Sequence, residues 1–390
     1  MPLDTSVKRI HESMRGAPQL KGAAGTGVAV LDAFLVDGWG LATATSGSVS
    51  AGVCTLNMGV GNDFEEHCVV LVAGATPAAV NGEHRLTQGG ETIKFEVPGA
   101  PDGPVTGTVT VKYAPCGWEK VYTASNKAVY RSQDVTGNRR YLRVNDTGAA
   151  YMRVYGYNAM TAIETGTGNF GNALYWHKAD AAGSTPMRYD CFGDSMALFY
   201  GPSPNYVAAG ATEAYQNASL WFFGDQNYIK TGGDAWGTLI TGETTSSSTG
   251  QYGTIGAETA GNGCYLERVA AGTGGAVQTI IDSVAGSAAA SGNMASFDGS
   301  FGAFPDDISG RLRLTQTYTS DNAANPQKKR AVVPGHFWAM HSDLTTYSGA
   351  AARDTFPGPG DMSGRRLMYL PLGGYTRIAV VLMDITGPWR

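Results

Sequence analysis

From residue 42 onward the chain alternates. Ile93, Phe95 and Val97 are separated by Lys94 and Glu96, and Val109, Val111 and Tyr113 by Thr110 and Lys112. A period of two puts one face of each segment on a core and the other in water, so these are predicted strands. Across LATATSGSVSAGVCTLNM, HCVVLVAGATPAAVNGEHRLTQ and ETIKFEVPGAPDGPVTGTVTVKYAP, strand and turn signals follow one another steadily. A strand about every 8–12 residues points to a small sandwich or barrel of immunoglobulin-like type. Pro115 closes the run. Asp37-Gly38-Trp39-Gly40 before it and Cys116-Gly117-Trp118-Glu119 after it look like two lips of one insertion point. The predicted organisation is an inserted Ig-like β module, 42–115, within a larger β-rich domain made of 1–41 and 116–390.

The larger domain shows the same texture. Tyr141–Val144 and Tyr151–Tyr155 flank Asn145-Asp146-Thr147-Gly148, a predicted hairpin. Arg311–Leu314 alternates, and Ile378–Met383 is an apolar run that suits a strand buried on both faces. Helix signals are few. Val28, Leu31 and Leu35 recur at helical spacing over 27–37, with Gly38 placed to end the helix, and Val7, Ile10 and Met14 suggest a short helix over 4–16. Residues 242–262 and 283–300, rich in Gly, Ser, Thr and Ala, are expected loops. The N-terminal arm, 1–20, is expected to order only against a neighbouring molecule. The fold class is mainly β: a β-sandwich-type main domain, a smaller inserted β-sandwich module and few short helices.

Composition sharpens this picture. Glycine is 54 of 390 residues, roughly double the usual share of about 7%, and charged residues are only 16% against a usual ~25%. Short strands joined by tight turns fit the glycine, and close repeated packing among neighbours tolerates the low charge. The net charge of −5 gives no sign of nucleic-acid binding, and Lys328-Lys329-Arg330 is too short a basic run to supply it. No apolar run reaches the ~18 residues of a membrane span, and MPLDTSVKRIHESMRGAP lacks the apolar segment of a secretory leader. Synthesis in a cytoplasm is expected. Cys54, Cys68, Cys116, Cys191 and Cys264 are odd in number with no C-x-x-C, so buried free thiols are expected rather than disulfides or a zinc site.

Several stretches resemble catalytic or binding motifs. Gly193-Asp194-Ser195 opens like the nucleophile block of GDSL-type hydrolases, whose catalytic histidine comes from a D-x-x-H element. The residues three before His11, His67, His84, His177, His336 and His341 are Lys8, Phe64, Asn81, Leu174, Val333 and Trp338, none of them Asp. A serine without an oriented base is a weak nucleophile. The flanks alternate on both sides, so Gly193-Asp194 is predicted as a type II′ hairpin tip, and Gly224-Asp225 as a second one. Gly166-Thr167-Gly168-Asn169-Phe170-Gly171 matches G-x-G-x-x-G but lacks the strand-before, helix-after context, and is expected to be a glycine-rich loop. His336 and His341, five apart, suit neither one helix face nor one strand face as shared metal ligands. The adjacent acids Asp306-Asp307 would point to opposite faces of a strand. Trp221-Phe222-Phe223 and Phe337-Trp338 are read as core or subunit contacts before a sugar-stacking platform.

DTSVK and GAP near the N-terminus, AVLDAFLVDGWG (29–40), VVLVAGATPAAVNGEHR (69–85), VTGTVTVKYAPCGWEKVY (105–122) and AVYRSQDV (128–135) carry a resemblance. It continues through YLRVNDTG (141–148), RVYGYNAMTAIETGTGNF (153–170), LYWHKA (174–179), FGDQNYIKTGGDAW (223–236) and DITGPWR (384–390). Over nearly its whole length the chain resembles a group of bacteriophage virion structural proteins. The resemblance implies a virion component, associated with the tail, baseplate or neck, that assembles as a symmetric homo-oligomer. The alternatives are a capsid decoration protein or a host-glycan-binding adhesin on the particle. Expected partners are the chain itself, other virion proteins and a host surface glycan; no nucleic acid, cofactor, metal or catalytic residue is expected.

Overall fold

The computed structural model describes residues 3–204, 219–228, 236–246, 263–269, 272, 274–282, 288–290, 314–320, 329–339, 351–372 and 379–390. It is mainly β, with antiparallel sheets throughout.

The layer order follows from which strands are apolar on both faces. Ala197–Ser203 and Trp221–Asp225 are buried at every position. They lie in the middle of an eight-stranded sheet ordered Lys8–His11, Pro186–Gly193, Ala197–Ser203, Trp221–Asp225, Thr238–Thr241, Cys264–Leu266, Gly275–Ala276, with Leu20–Lys21 beside Pro186–Gly193. One face sends Phe192, Phe199, Phe222, Leu239 and Leu266 against Val333, Trp338, Met368, Leu370, Val381 and Met383 of a C-terminal sheet. The other face sends Tyr189, Cys191, Leu198, Tyr200, Trp221 and Phe223 into a core shared with Tyr130, Leu142, Val144, Met152, Val154, Leu174 and Trp176. Those residues belong to a five-stranded sheet, Trp118–Ala124, Lys127–Ser132, Tyr141–Asn145, Tyr151–Ala162 and Thr165–His177. Trp176 stacks on Tyr200 with centroids 5.2 Å apart, joining the two layers. A sheet covered on both sides explains why these strands read as unbroken apolar runs.

Residues from Trp39 to Tyr113 form a sheet of their own, ordered Trp39–Thr43, Thr110–Tyr113, Val69–Ala73, Gly82–Gln88, Thr92–Glu96, Val53–Asn57, Ser46–Ser50, Gly103–Pro104. Its first and last long strands pair, Tyr113 opposite Trp39, so the chain enters and leaves at one place. Cys116 N–H donates to Phe34 O at 2.9 Å immediately beyond the exit. Arg85, 4% exposed, fastens this sheet to both chain ends. Its guanidinium donates to the carbonyls of Asp4 (2.6 Å), Val7 (3.1 Å), His67 (2.5 Å), Ile385 (3.0 Å) and Thr386 (3.1 Å).

The helix predicted over 27–37 is present as Thr26–Asp32, running on into a wider turn at Ala33–Asp37. Asp146, from the loop after Tyr141–Asn145, supplies its N-terminal cap: Oδ2 accepts from Gly27 N (2.8 Å) and Val28 N (3.0 Å). The other oxygen of Asp146 pairs with the buried Lys178, which also donates to the carbonyls of Ala23 and Gly148. Gly38 ends the helix at φ 71°, a left-handed conformation that glycine adopts without strain.

Four expectations need correction. Residues 4–16 do not form a helix: Lys8–His11 is a strand paired with Pro186–Gly193, Ile10 opposite Cys191. For the same reason the arm 1–20 does not wait for a neighbour; Val7, Ile10, Met14 and Leu20 are all buried within the chain itself. Gly166–Gly171 is not a loop but the start of Thr165–His177, in register with Tyr151–Ala162. Ala288–Ala290, inside the expected loop 283–300, is a strand. Residues 247–262, 311–313 and 378 fall outside the described set.

The two Gly-Asp steps also differ from expectation. The first is a hairpin, but Gly193 is the last residue of its strand, opposite Leu198, and the reversal is Asp194–Ala197. Asp194 Oδ1 accepts from Met196 N (2.8 Å) and Ala197 N (2.7 Å), so an aspartate side chain closes the turn where a glycine in a II′ position was predicted. The second is not a tip: after Asp225 the chain crosses over, and Asn227–Tyr228 pairs with Ala331–Ala339. Gly224 has φ 144°, and a Cβ there would lie 2.4 Å from both Ala197 Cα and Met196 O. Gly224→Ala is expected to lower stability by about 1–3 kcal/mol, the usual cost of forcing extra volume into a packed site, as read by urea denaturation.

Candidate interaction surfaces

The predicted chemical motifs come apart in the structure. Ser195 Oγ donates to Asp134 Oδ2 at 2.8 Å, and no described histidine bonds to it. Asp194 is held by the C-terminal Arg390, Nε to Oδ2 at 3.1 Å. A hydroxyl bonded to a carboxylate at a hairpin tip lacks the imidazole that would activate it. His336 is fully buried: its Nδ1 lies 2.8 Å from Thr317 Oγ1, its ring stacks on Phe199, and burial drives its pKa down to about 3. Trp338 Nε1–H donates to the same Thr317 oxygen at 3.1 Å, which leaves the hydroxyl proton for His336 Nδ1. His341, Asp306, Asp307 and Lys328 lie outside the described residues. Trp221, Phe222, Phe223 and Trp338 are core, each 1% exposed or less, so they offer no platform for a sugar. All five cysteines are buried free thiols. Among the described residues no three His, Cys, Asp or Glu side chains are placed to share a metal ion.

Two surfaces stand out instead. The first is the outer face of the five-stranded sheet. The alternation that fully buries Leu142, Val144, Met152, Val154, Leu174 and Trp176 leaves Tyr141, Tyr151, Arg153, Tyr155, Tyr157 and Tyr175 half-buried on the other face, with Arg143 (7% exposed) packed among them. Cross-strand register interleaves the two residue types: Arg143 faces Tyr155, Arg153 faces Tyr175 and Arg131 faces Tyr141. The guanidinium carbons sit 4.7 Å, 4.1 Å and 5.0 Å from the respective ring centroids. Tyr151 meets Tyr175 edge-on at 4.8 Å. These cation–π and aromatic contacts fix the rotamers of long side chains before anything binds. Tyrosine and arginine are also the types enriched at the energetic centres of protein interfaces. Tyr141, Arg143, Tyr151, Arg153 and Tyr155 lie in segments read as strands from sequence; Arg131, Tyr157 and Tyr175 do not. What the sequence reading missed was that the polar half of the pattern, Y-x-R-x-Y-x-Y, is itself a surface.

The second is a cleft of about 410 Å³ where the Trp39–Tyr113 sheet, the N-terminal strand and the C-terminal sheet meet. It is lined entirely by polar side chains, among them Arg9, His11, Glu65, His67, Arg353 and Arg366. Glu65 bridges Arg9 at 3.1 Å and His11 at 2.9 Å. Burial alone would raise its carboxyl pKa, but the hydrogen bond and charge of His11 and the charge of Arg9 hold it below the usual range. Arg353 spans Glu12 (2.6 Å) and Asp190 (2.8 Å). A neighbouring cleft of about 360 Å³ shares His67 and Arg366 and adds Asp4, Arg85 and Arg365. No protein-family model matches the chain, and no curated protein matches its sequence.

Proposed function

We propose that this chain is a structural component of a bacteriophage virion, associated with the tail, baseplate or neck, that works as a symmetric homo-oligomer. The observation that carries the reading is the outer face of the five-stranded sheet: a broad, pre-ordered tyrosine–arginine surface on a charge-poor chain. It suits a second copy of the same chain, because Glu119 and Glu164 lie on the same layer as Arg131, Arg143 and Arg153. A patch carrying both signs complements itself across a two-fold axis. The sequence resemblance to virion proteins supplies the setting, and the Trp39–Tyr113 sheet would be the Ig-like module of such a particle protein. A second reading, an adhesin for host glycans, draws on the same half-buried tyrosine rings.

The test is direct. Light scattering on the purified chain is expected to give a defined multimer, and Tyr155→Asp/Tyr157→Asp to reduce it to monomer while leaving the melting transition in place. The chain is also expected among the proteins of purified particles at a fixed copy number. A wild-type monomer that binds glycans in an array would favour the adhesin, and absence from particles would sink both.

A further inference from the structure

The polar cleft is lined by three arginines, Arg9, Arg353 and Arg366, against two carboxylates, Glu65 and Glu66. Glu65 is engaged by Arg9 and His11, and Arg353 is anchored by Glu12 and Asp190, which lie outside the lining. In the adjoining cleft Asp384 is taken by Arg365 at 2.9 Å, while Asp4 accepts from Ser6 at its own backbone and hydroxyl. Glu66, the other acid of the lining, is 54% exposed and therefore largely screened by water. The donors are not matched in the same way. Arg366, which lines both clefts, makes no hydrogen bond or ion pair with its side chain among the described residues; its backbone is engaged, the N–H by Thr386 Oγ1 at 2.8 Å and the carbonyl by Ile385 N at 3.0 Å. His67 also lines both, and its Nε2 makes only a long ion-pair contact, 3.6 Å, with the largely exposed Glu66 Oε1. Arg9 Nε is buried without a partner. A buried donor left unmet costs free energy unless something fills the gap.

The backbone gives an independent sign. Only six non-glycine described residues have positive φ, and two of them, His67 at 65° and Arg353 at 73°, line this cleft. Such conformations are strained for residues with side chains and cluster where a side chain must be aimed. The junction of separate structural units is also where ligand sites are commonly built.

We propose that this cleft binds an oxyanion, a carboxylate, phosphate or sulfate group, held between Arg366 and His67. Arg366 supplies a planar fork that suits two anion oxygens at once, and His67, in the same lining, supplies a further donor. Burial lowers the His67 pKa most; the charge of Glu66 opposes this, and the charges of Arg366, Arg9 and Arg85 add to it, so three guanidinium groups act on the position His67 occupies. The Glu65, Glu12 and Asp190 pairs hold Arg9 and Arg353 as fixed walls. The proposal rests on observations separate from the oligomer interface and survives if that interface fails.

Calorimetric titration of the intact chain in phosphate-free buffer tests it, with inorganic phosphate, sulfate and glucuronate as probes and glucose as the neutral control. Saturable binding of at least one oxyanion, and none of glucose, is expected. Saturation by phosphate or sulfate identifies a free ion as the source, and saturation by glucuronate alone identifies a sugar-borne carboxylate. Arg366→Gln is expected to weaken binding by about tenfold or more, with Arg366→Lys recovering part of it. His67→Asn, which tolerates the left-handed backbone, should weaken binding similarly without altering the melt, so the test holds even if Arg366→Gln folds poorly. No binding tighter than about 10 mM by any probe, or unchanged binding in both Arg366→Gln and His67→Asn, would overturn the assignment.

Discussion

Replacing Arg85 with methionine is expected to remove about 3–5 kcal/mol of folding stability, the range seen when one member of a buried charged network is deleted. The reason is geometric. Five carbonyls from Asp4, Val7, His67, Ile385 and Thr386 converge on one guanidinium, three of them in fully buried hydrogen bonds. Burial lowers the Arg85 pKa only to about 10, so the group remains charged at neutral pH. Methionine fills much of the volume but leaves all five acceptors unmet. Lysine would recover less than half the loss, because one ammonium with three donors cannot span acceptors spread around a planar fork. Urea denaturation measures the effect, and hydrogen exchange locates it. Protection should fall first in the Trp39–Tyr113 sheet and at both chain ends, which Arg85 ties together. A variant as stable as wild type would mean that the clip contributes nothing net.

Acid should destabilise the protein steeply, and His336 is expected to account for much of the slope. Burial holds its folded pKa at about 3, while the unfolded chain titrates near 6.5. Between those values the unfolded state carries a proton that the native state refuses, so stability falls as pH drops, by about 1.4 kcal/mol per unit at most. The contribution is fully present above pH 6.5 or so and is lost progressively towards 3. His177, whose pKa burial lowers to about 4, acts in the same direction. His336→Phe keeps the stacking on Phe199 and removes the titrating group, so its stability should depend on pH less steeply than that of the wild type even if its stability at neutral pH is lower. Parallel pH profiles would show that His336 is protonated in the native state.

The readable part of the fold was the part with one wet face. Ile93 and Phe95, or Met152 and Val154, alternate with polar neighbours because water lies on the other side, and these strands stand where the pattern put them. Strands buried on both faces lose that signature; Phe199 and Tyr200 point to different cores, and only the third layer explains why both are apolar. The N-terminal strand was missed because Val7, Ile10 and Met14 fit a helical spacing locally, whereas its partner Cys191 lies far along the chain. At Gly193-Asp194 the hairpin was legible, but the turn is closed by Asp194, and Gly193 is small because Cys116 Sγ would be 3.1 Å from a Cβ there. The polar cleft was not legible at all. Its residues come from three stretches, around 9–13, 65–67 and 353–366, each unremarkable alone. The outer tyrosines and arginines were visible as letters, but their pairing across strands depends on a register that sequence does not print.

Hydroxyl-radical footprinting of intact particles against the isolated, diluted chain is the most direct examination of the assembly reading. Peptides carrying Tyr141, Tyr151, Tyr155, Tyr157 and Tyr175 are expected to be labelled in the dilute chain and shielded in the particle. Equal labelling of those tyrosines in both states would contradict a role for this sheet face in holding copies of the chain together.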